Sequence, residues 1–148
     1  MMQKHAEVDC VLDIRAELGE CPLWCGEEKA LYWIDIHAGR LNRFEPASGV
    51  NQAWTLPEPI GSFALTDDGS ILAALKSGLK RFDPRTGELP PLVEPEAHLP
   101  HNRLNDGRCD RQGRFWVGSM EDPVDAAGPK GSLYRLDGDR RCTRLTGG

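Results

Sequence analysis

The chain has 148 residues, the length of one ordinary domain. Its 18 basic and 23 acidic residues give a formal net charge of -5, and no basic stripe runs along it, which argues against a nucleic-acid partner. No apolar run approaches the roughly 20 residues of a membrane-spanning helix, so we expect no membrane partner. Charged residues stand where a signal peptide would place its apolar stretch, and we therefore expect a cytoplasmic protein.

The first candidate feature is a short bend, Leu18-Gly-Glu-Cys-Pro-Leu-Trp24, that holds one carboxylate, Glu20, between apolar residues. If the bend points inward, Glu20 offers the oxygen ligand that hard cations prefer. The alternative is an ordinary turn carboxylate in water. The five cysteines are an odd number without secretory context, so we expect reduced thiols.

Three similar segments then follow one another at a spacing of about 40 residues. They cover approximately residues 24–56, 65–93 and 109–145, and Trp33, Ala73 and Trp116 occupy matching positions. Units of this length with several short strands are typical of β-propeller blades. We therefore predict that residues 1–148 form an all-β partial propeller; the alternative is a generic β-sandwich with similar hairpins.

Each repeat contains the elements of a hairpin. The glycines of Asp67-Asp68-Gly69 and Arg111-Gln112-Gly113 are suited to turns that need a positive φ. The strand around residues 31–36 is nearly all apolar, as expected for a strand buried on both faces.

The repeat count predicts an incomplete ring. About 40 residues per blade gives three to three and a half blades, whereas propellers usually close with 4–8. An open arc exposes a blade face and a strand edge, which favour association. We therefore expect a fragment, a truncated reading frame, or a chain that completes its ring by self-association or with a second chain.

A second polar cluster, His101-Asn-Arg-Leu-Asn-Asp-Gly-Arg108, leads into the third repeat. Arg103 and Asn105 are two apart and share one side of an extended segment. A guanidinium beside an amide suits the hydroxyl and carboxyl groups of a small polar ligand. The alternative is that Asn-Asp-Gly is simply a turn, in which Asp106 is a turn residue or makes a secondary polar contact.

Two of these stretches carry a resemblance to a known family. The segment Leu-Gly-Glu-Cys-Pro-Leu-Trp followed by Leu-Tyr-Trp-Ile-Asp-Ile resembles the opening of the senescence marker protein-30/gluconolactonase family, which includes regucalcin. The stretch from Asn102 to Met120 resembles that family's most recognisable motif, and Gly131-Ser-Leu-Tyr-Arg-Leu136 follows it after an insertion. The similarity runs from about Val8 to the end, and its order and spacing are most similar to bacterial sugar lactonases.

The resemblance implies a six-bladed propeller that binds one divalent metal ion and hydrolyses sugar lactones of the gluconolactone or xylonolactone type. Glu20 matches the first metal ligand, and Arg103 and Asn105 match substrate-contacting positions. Glu121, after Met120, is a candidate for a further substrate contact. Glutamate and asparagine oxygens do not distinguish calcium, magnesium, manganese and zinc.

The family's other two metal ligands, an Asn and an Asp, would lie beyond Gly148. Because that Asp is also the family's general base, no catalytic residue is assigned within this chain, and we expect it to be impaired or inactive alone. Two alternatives stay open: a non-catalytic half-propeller that acts as a binding or assembly module, and a metal-dependent esterase or phosphotriesterase on the same scaffold.

Overall fold

The computed structural model describes residues 8–123 and 131–147, and all the regular elements in these two ranges are β-strands. Neither range contains a helix long and apolar enough to cross a membrane. The strands are, in chain order, β1 (Gly19–Cys25), β2 (Ala30–Asp35), β3 (Arg40–Glu45), β4 (Val50–Thr55), β5 (Ile60–Leu65), β6 (Ile71–Leu75), β7 (Leu79–Phe82), β8 (Pro91–Val93), β9 (Asn102–Cys109), β10 (Phe115–Glu121), β11 (Ser132–Leu136) and β12 (Cys142–Gly147).

The strands form three separate four-stranded antiparallel sheets in which neighbours in sequence are neighbours in space. We call them blade 1 (β1–β4), blade 2 (β5–β8) and blade 3 (β9–β12). Blade 2 packs between the other two, so the sheets follow one another as propeller blades and do not face each other as a two-sheet sandwich. The predicted all-β partial propeller is confirmed. Each blade begins one strand before the corresponding sequence repeat.

The hydrophobic core is divided between two blade interfaces. Strand β6 contributes to both, because its five residues are all buried and successive side chains point to opposite faces. Ile71, Ala73 and Leu75 pack towards blade 1, whereas Leu72 and Ala74 pack towards blade 3. Burial on both faces explains why the sequence of β6 is a continuous apolar run.

The first strands of the three blades lie side by side, and β5 contacts both β1 and β9. Two glycines permit this approach. A Cβ on Gly61 would overlap the backbone oxygen of Leu104, and one on Gly107 would lie 2.9 Å from the hydroxyl oxygen of Ser62 on β5. The Ser62 hydroxyl donates a hydrogen bond of 2.6 Å to the backbone oxygen of Asn105. This contact holds β5 against the strand that carries the second polar cluster.

Candidate active site

A cleft of about 380 Å³ opens where the first strands of the three blades meet. It contains three of the four site residues proposed from the sequence, Glu20, Arg103 and Asn105. Its lining also includes side chains that the sequence analysis did not propose as site residues, namely Cys21, Asp106 and Arg108. The residues are far apart in sequence and meet because β1, β5 and β9 are adjacent.

Glu20 reaches the cleft through an irregularity in β1. The pairing of β1 with β2 shifts register between Glu20 and Leu23, and Cys21 has a φ of +52°, a left-handed conformation that is uncommon for a residue with a side chain. This backbone turns Cys21 inward and leaves Glu20 exposed. Within residues 8–123 and 131–147, the Glu20 carboxylate has no hydrogen-bond or ion-pair partner, so its oxygens are available to a cation or ligand.

Arg103 is held almost completely inside the protein, with 8% of its side chain exposed. Its Nε donates to Oδ2 of Asp122 at 3.0 Å, and its Nη1 donates to Oδ1 of Asn105 at 2.8 Å and more weakly to the oxygen of Leu104 at 3.3 Å. Nη2 has no partner in the part of the chain that the structure describes. The fixed guanidinium therefore has one nitrogen left for a ligand.

The orientation of Asn105 follows from the same contacts. Oδ1 accepts from Arg103, and the Asn105 amide nitrogen has no partner among the residues that the structure describes, so it is the group available to a ligand. Asn105 therefore presents a donor, suited to a hydroxyl or water oxygen, while Glu20 presents an acceptor.

Cys21 forms the floor of the cleft and is in contact with Asp106. Its Sγ lies 3.7 Å from both Oδ1 of Asp106 and the oxygen of Gly61. Burial, followed by the charge of Asp106, raises the pKa of the Cys21 thiol to about 11. The thiol therefore stays protonated near neutral pH and acts as a weak donor, not as a nucleophile. All five cysteines are free.

The alternative interpretation of Asn-Asp-Gly as a turn is wrong, because Asp106 lies inside strand β9. Gly107 does not have a positive φ. Its lack of a side chain instead makes room for Phe115 and for Ser62 of the neighbouring blade. Glycine is favoured both where two strands approach closely and in a tight turn, so the sequence alone could not distinguish these two roles of Gly107.

Glu121 is not among the described residues that line the cleft. It lies at the end of β10 opposite Asn102, and its proposed contact with substrate stays a prediction. The next residue, Asp122, instead forms the ion pair with Arg103. Sequence reasoning missed Asp122 because its contact depends on the register of β9 and β10, in which Arg103 is opposite Met120.

The described residues provide only part of a binding site for the predicted metal ion. Glu20 fits as one oxygen ligand of a hard cation. However, the described residues contain no group of three histidine, cysteine, aspartate or glutamate side chains arranged to hold a metal. These side chains alone therefore do not complete a coordination shell around Glu20.

Comparison with known proteins gives a consistent set of matches. The family model described as "SMP-30/Gluconolactonase/LRE-like region" matches residues 18–148. The 6-deoxy-6-sulfogluconolactonase of Pseudomonas putida is 41% identical over 138 residues, with 93% of this chain and 47% of that protein covered. The L-arabinolactonase of Azospirillum brasilense is 38% identical over 148 residues, with 98% and 49% covered.

Among solved structures, regucalcin from Agrobacterium tumefaciens, described as a calcium-binding protein, superposes with a TM-score of 0.84. It is 31% identical, with 93% of this chain and 45% of that chain covered. The chain thus spans about half the length of the curated relatives it matches.

Proposed function

This chain belongs to the SMP-30/gluconolactonase/LRE-like family, and from that membership we propose that it binds the lactone of a sugar acid and takes part in opening the ring by hydrolysis, with a divalent cation. The names of its relatives support the reaction class, since they are lactonases of six-carbon and five-carbon sugar acids. The observation that carries the proposal is the cleft itself, in which neither the carboxylate of Glu20 nor Nη2 of Arg103 has a partner among the described residues.

Hydrolysis of a lactone requires groups in the cleft that stabilise the charge developing during the reaction. The oxygen of water adds to the lactone carbonyl carbon, the ring carbon–oxygen bond breaks, and the proton lost by the water passes to the leaving ring oxygen. The product is one open-chain sugar acid, which ionises and releases a proton. Negative charge develops on the carbonyl oxygen during the addition, so fixed donors or cations near that oxygen accelerate the step. A bound divalent cation supplies Lewis-acid polarisation and a more acidic water.

Each cleft residue has a role that follows from its contacts. Glu20 would hold the cation through its free carboxylate. Arg103 would donate from Nη2 to an oxygen of the lactone, and the bonds to its other nitrogens keep the guanidinium from rotating, which lowers the entropic cost of orienting substrate. Asn105 would donate from its amide nitrogen to a hydroxyl or water oxygen.

Substitution of Glu20 tests the cation-binding part of the proposal. Glu20→Gln preserves size but removes the charge, and we expect calcium binding by the 148-residue chain, measured by titration calorimetry, to weaken at least about tenfold. Glu17→Gln is the matched control, since its side chain is also exposed but lies outside the cleft lining. Any chelator-sensitive lactone hydrolysis should fall in the first variant and not in the second. Equal calcium affinity in the wild type and Glu20→Gln would contradict the assignment.

A further inference from the structure

Glu96, in the connection between β8 and β9, accepts hydrogen bonds from side chains of three different strands. Its Oε2 accepts from Nδ2 of Asn102 on β9 at 3.0 Å. Its Oε1 accepts from the hydroxyl of Ser119 on β10 at 2.7 Å and from that of Tyr134 on β11 at 2.9 Å. One half-buried carboxylate thus joins three of the four strands of blade 3.

These bonds lie on both sides of Arg103. Asn102 immediately precedes Arg103 on β9, while Ser119 immediately precedes Met120, the residue opposite Arg103 on β10. The pairing of β9 with β10 shifts register between Val117 and Ser119, so the regular backbone ladder is interrupted at this point. Side-chain bonds to Glu96 therefore supply connections where the backbone ladder is irregular.

The donors are arranged so that their protons are directed to Glu96. The backbone nitrogen of Ser132 donates to Oγ of Ser119 at 2.9 Å, which occupies an acceptor position of that hydroxyl and favours donation of its own proton to Glu96. A carboxylate is the side chain best suited to this position, since it has two acceptor oxygens and no donor.

We propose that Glu96 is a positioning residue of the cleft. By tying Asn102 to Ser119 and Tyr134, it fixes the distance between β9 and β10 at which Arg103 meets Asp122, and so fixes the guanidinium that faces the ligand. Its importance for substrate rests on the function proposed above, but its effect on Arg103 is a property of the free protein and can be measured without turnover.

The proton on Nε of Arg103 reports on this arrangement, because Nε donates to Asp122. Its exchange with water can be followed by nitrogen-15 NMR of the arginine side chains of the 148-residue chain. In Glu96→Ala we expect exchange at least about tenfold faster than in the wild type, which corresponds to roughly 1.4 kcal/mol of lost protection. The indole proton of Trp54, which donates to Pro84 between blades 1 and 2, should keep its wild-type exchange rate.

Two further variants separate positioning from general destabilisation. Glu96→Gln retains an oxygen for Ser119 and Tyr134 but turns an amide donor towards Asn102, so exchange at Arg103 should lie between those of the wild type and Glu96→Ala. Glu94→Ala, in the same connection, removes an exposed carboxylate with no hydrogen-bond partner among the described residues and should leave Arg103 unchanged.

Unchanged exchange at Arg103 in a folded Glu96→Ala chain would overturn the proposal. So would equal acceleration at Arg103 and Trp54, since that would show a general loss of stability. If Glu96→Ala does not fold, Tyr134→Phe removes one of the three donors and should still accelerate exchange at Arg103 at least about twofold; no change there would also overturn the proposal. Lactone hydrolysis that a chelator does not affect would refute the proposed function and leave this result standing.

Discussion

The ion pair between Arg103 and Asp122 makes a quantitative prediction about the cleft. Asp122→Asn leaves a guanidinium that is 8% exposed facing a neutral amide in place of a carboxylate. A hydrogen bond to a charged group contributes about 1.5–3 kcal/mol. Because 36% of the Asp122 side chain is exposed, water can restore part of this interaction. We therefore expect the substitution to lower the free energy of unfolding by about 1–2 kcal/mol.

A double-mutant cycle of Asp122→Asn with Arg103→Met measures this contribution, with each variant unfolded in urea and followed by tryptophan fluorescence. The coupling energy should be about 1–2 kcal/mol and should change little in 1 M salt, because the guanidinium is buried. The exposed pair Asp13–Arg15, 3.9 Å apart, is the control and should show no measurable coupling. An Arg103–Asp122 coupling no larger than that of the control would refute the claim that Asp122 holds Arg103.

Two other features of the cleft lead to simple tests. Because the pKa of Cys21 is raised to about 11, iodoacetamide at pH 8 should alkylate Cys21 at least about tenfold more slowly than the exposed Cys10. The two rates can be followed by mass spectrometry, and equal rates would contradict the burial of the Cys21 thiol. The folded state favours the neutral thiol, so this contribution to stability should be complete below pH 9 and should be lost as the pH rises towards 11. The loss should be smaller in Cys21→Ala, where the raised pKa values of Cys109 and Cys142 remain. Gly61→Ala should cost about 1–3 kcal/mol in urea unfolding because its Cβ would overlap Leu104, whereas Gly26→Ala, with no atom within 4 Å, should be nearly neutral; equal effects would refute the close approach of β5 and β9.

The repeating part of the fold could be predicted from the sequence because its constraints are local. The second strand of each blade follows a turn with a positive φ, at Lys29, Gly69 and Gly113, and strand β6 of the middle blade is buried on both faces. The first strands β1, β5 and β9 have no common pattern, and the sequence repeats accordingly begin after them. Their residues meet other blades and line the cleft, so each strand satisfies different neighbours.

The site could be predicted in part for a related reason. Arg103 and Asn105 are two residues apart on one strand, so the sequence alone placed them on one face, and the structure shows them in contact. The contact of Cys21 with Asp106 joins strands of different blades, and that of Arg103 with Asp122 depends on a β-sheet register. In neither pair are the two residues spaced along the sequence with a periodicity that would indicate their contact.

The central claim is that the cleft binds a lactone and a divalent cation for hydrolysis. The most direct test is a pH-stat assay of the 148-residue chain with gluconolactone and xylonolactone, since ring opening releases acid. Because only part of a metal site is present in the described residues, the account predicts at most slow acid release above the spontaneous rate, which a chelator abolishes and added calcium, magnesium, manganese or zinc restores. Catalysis that a chelator does not affect would contradict it.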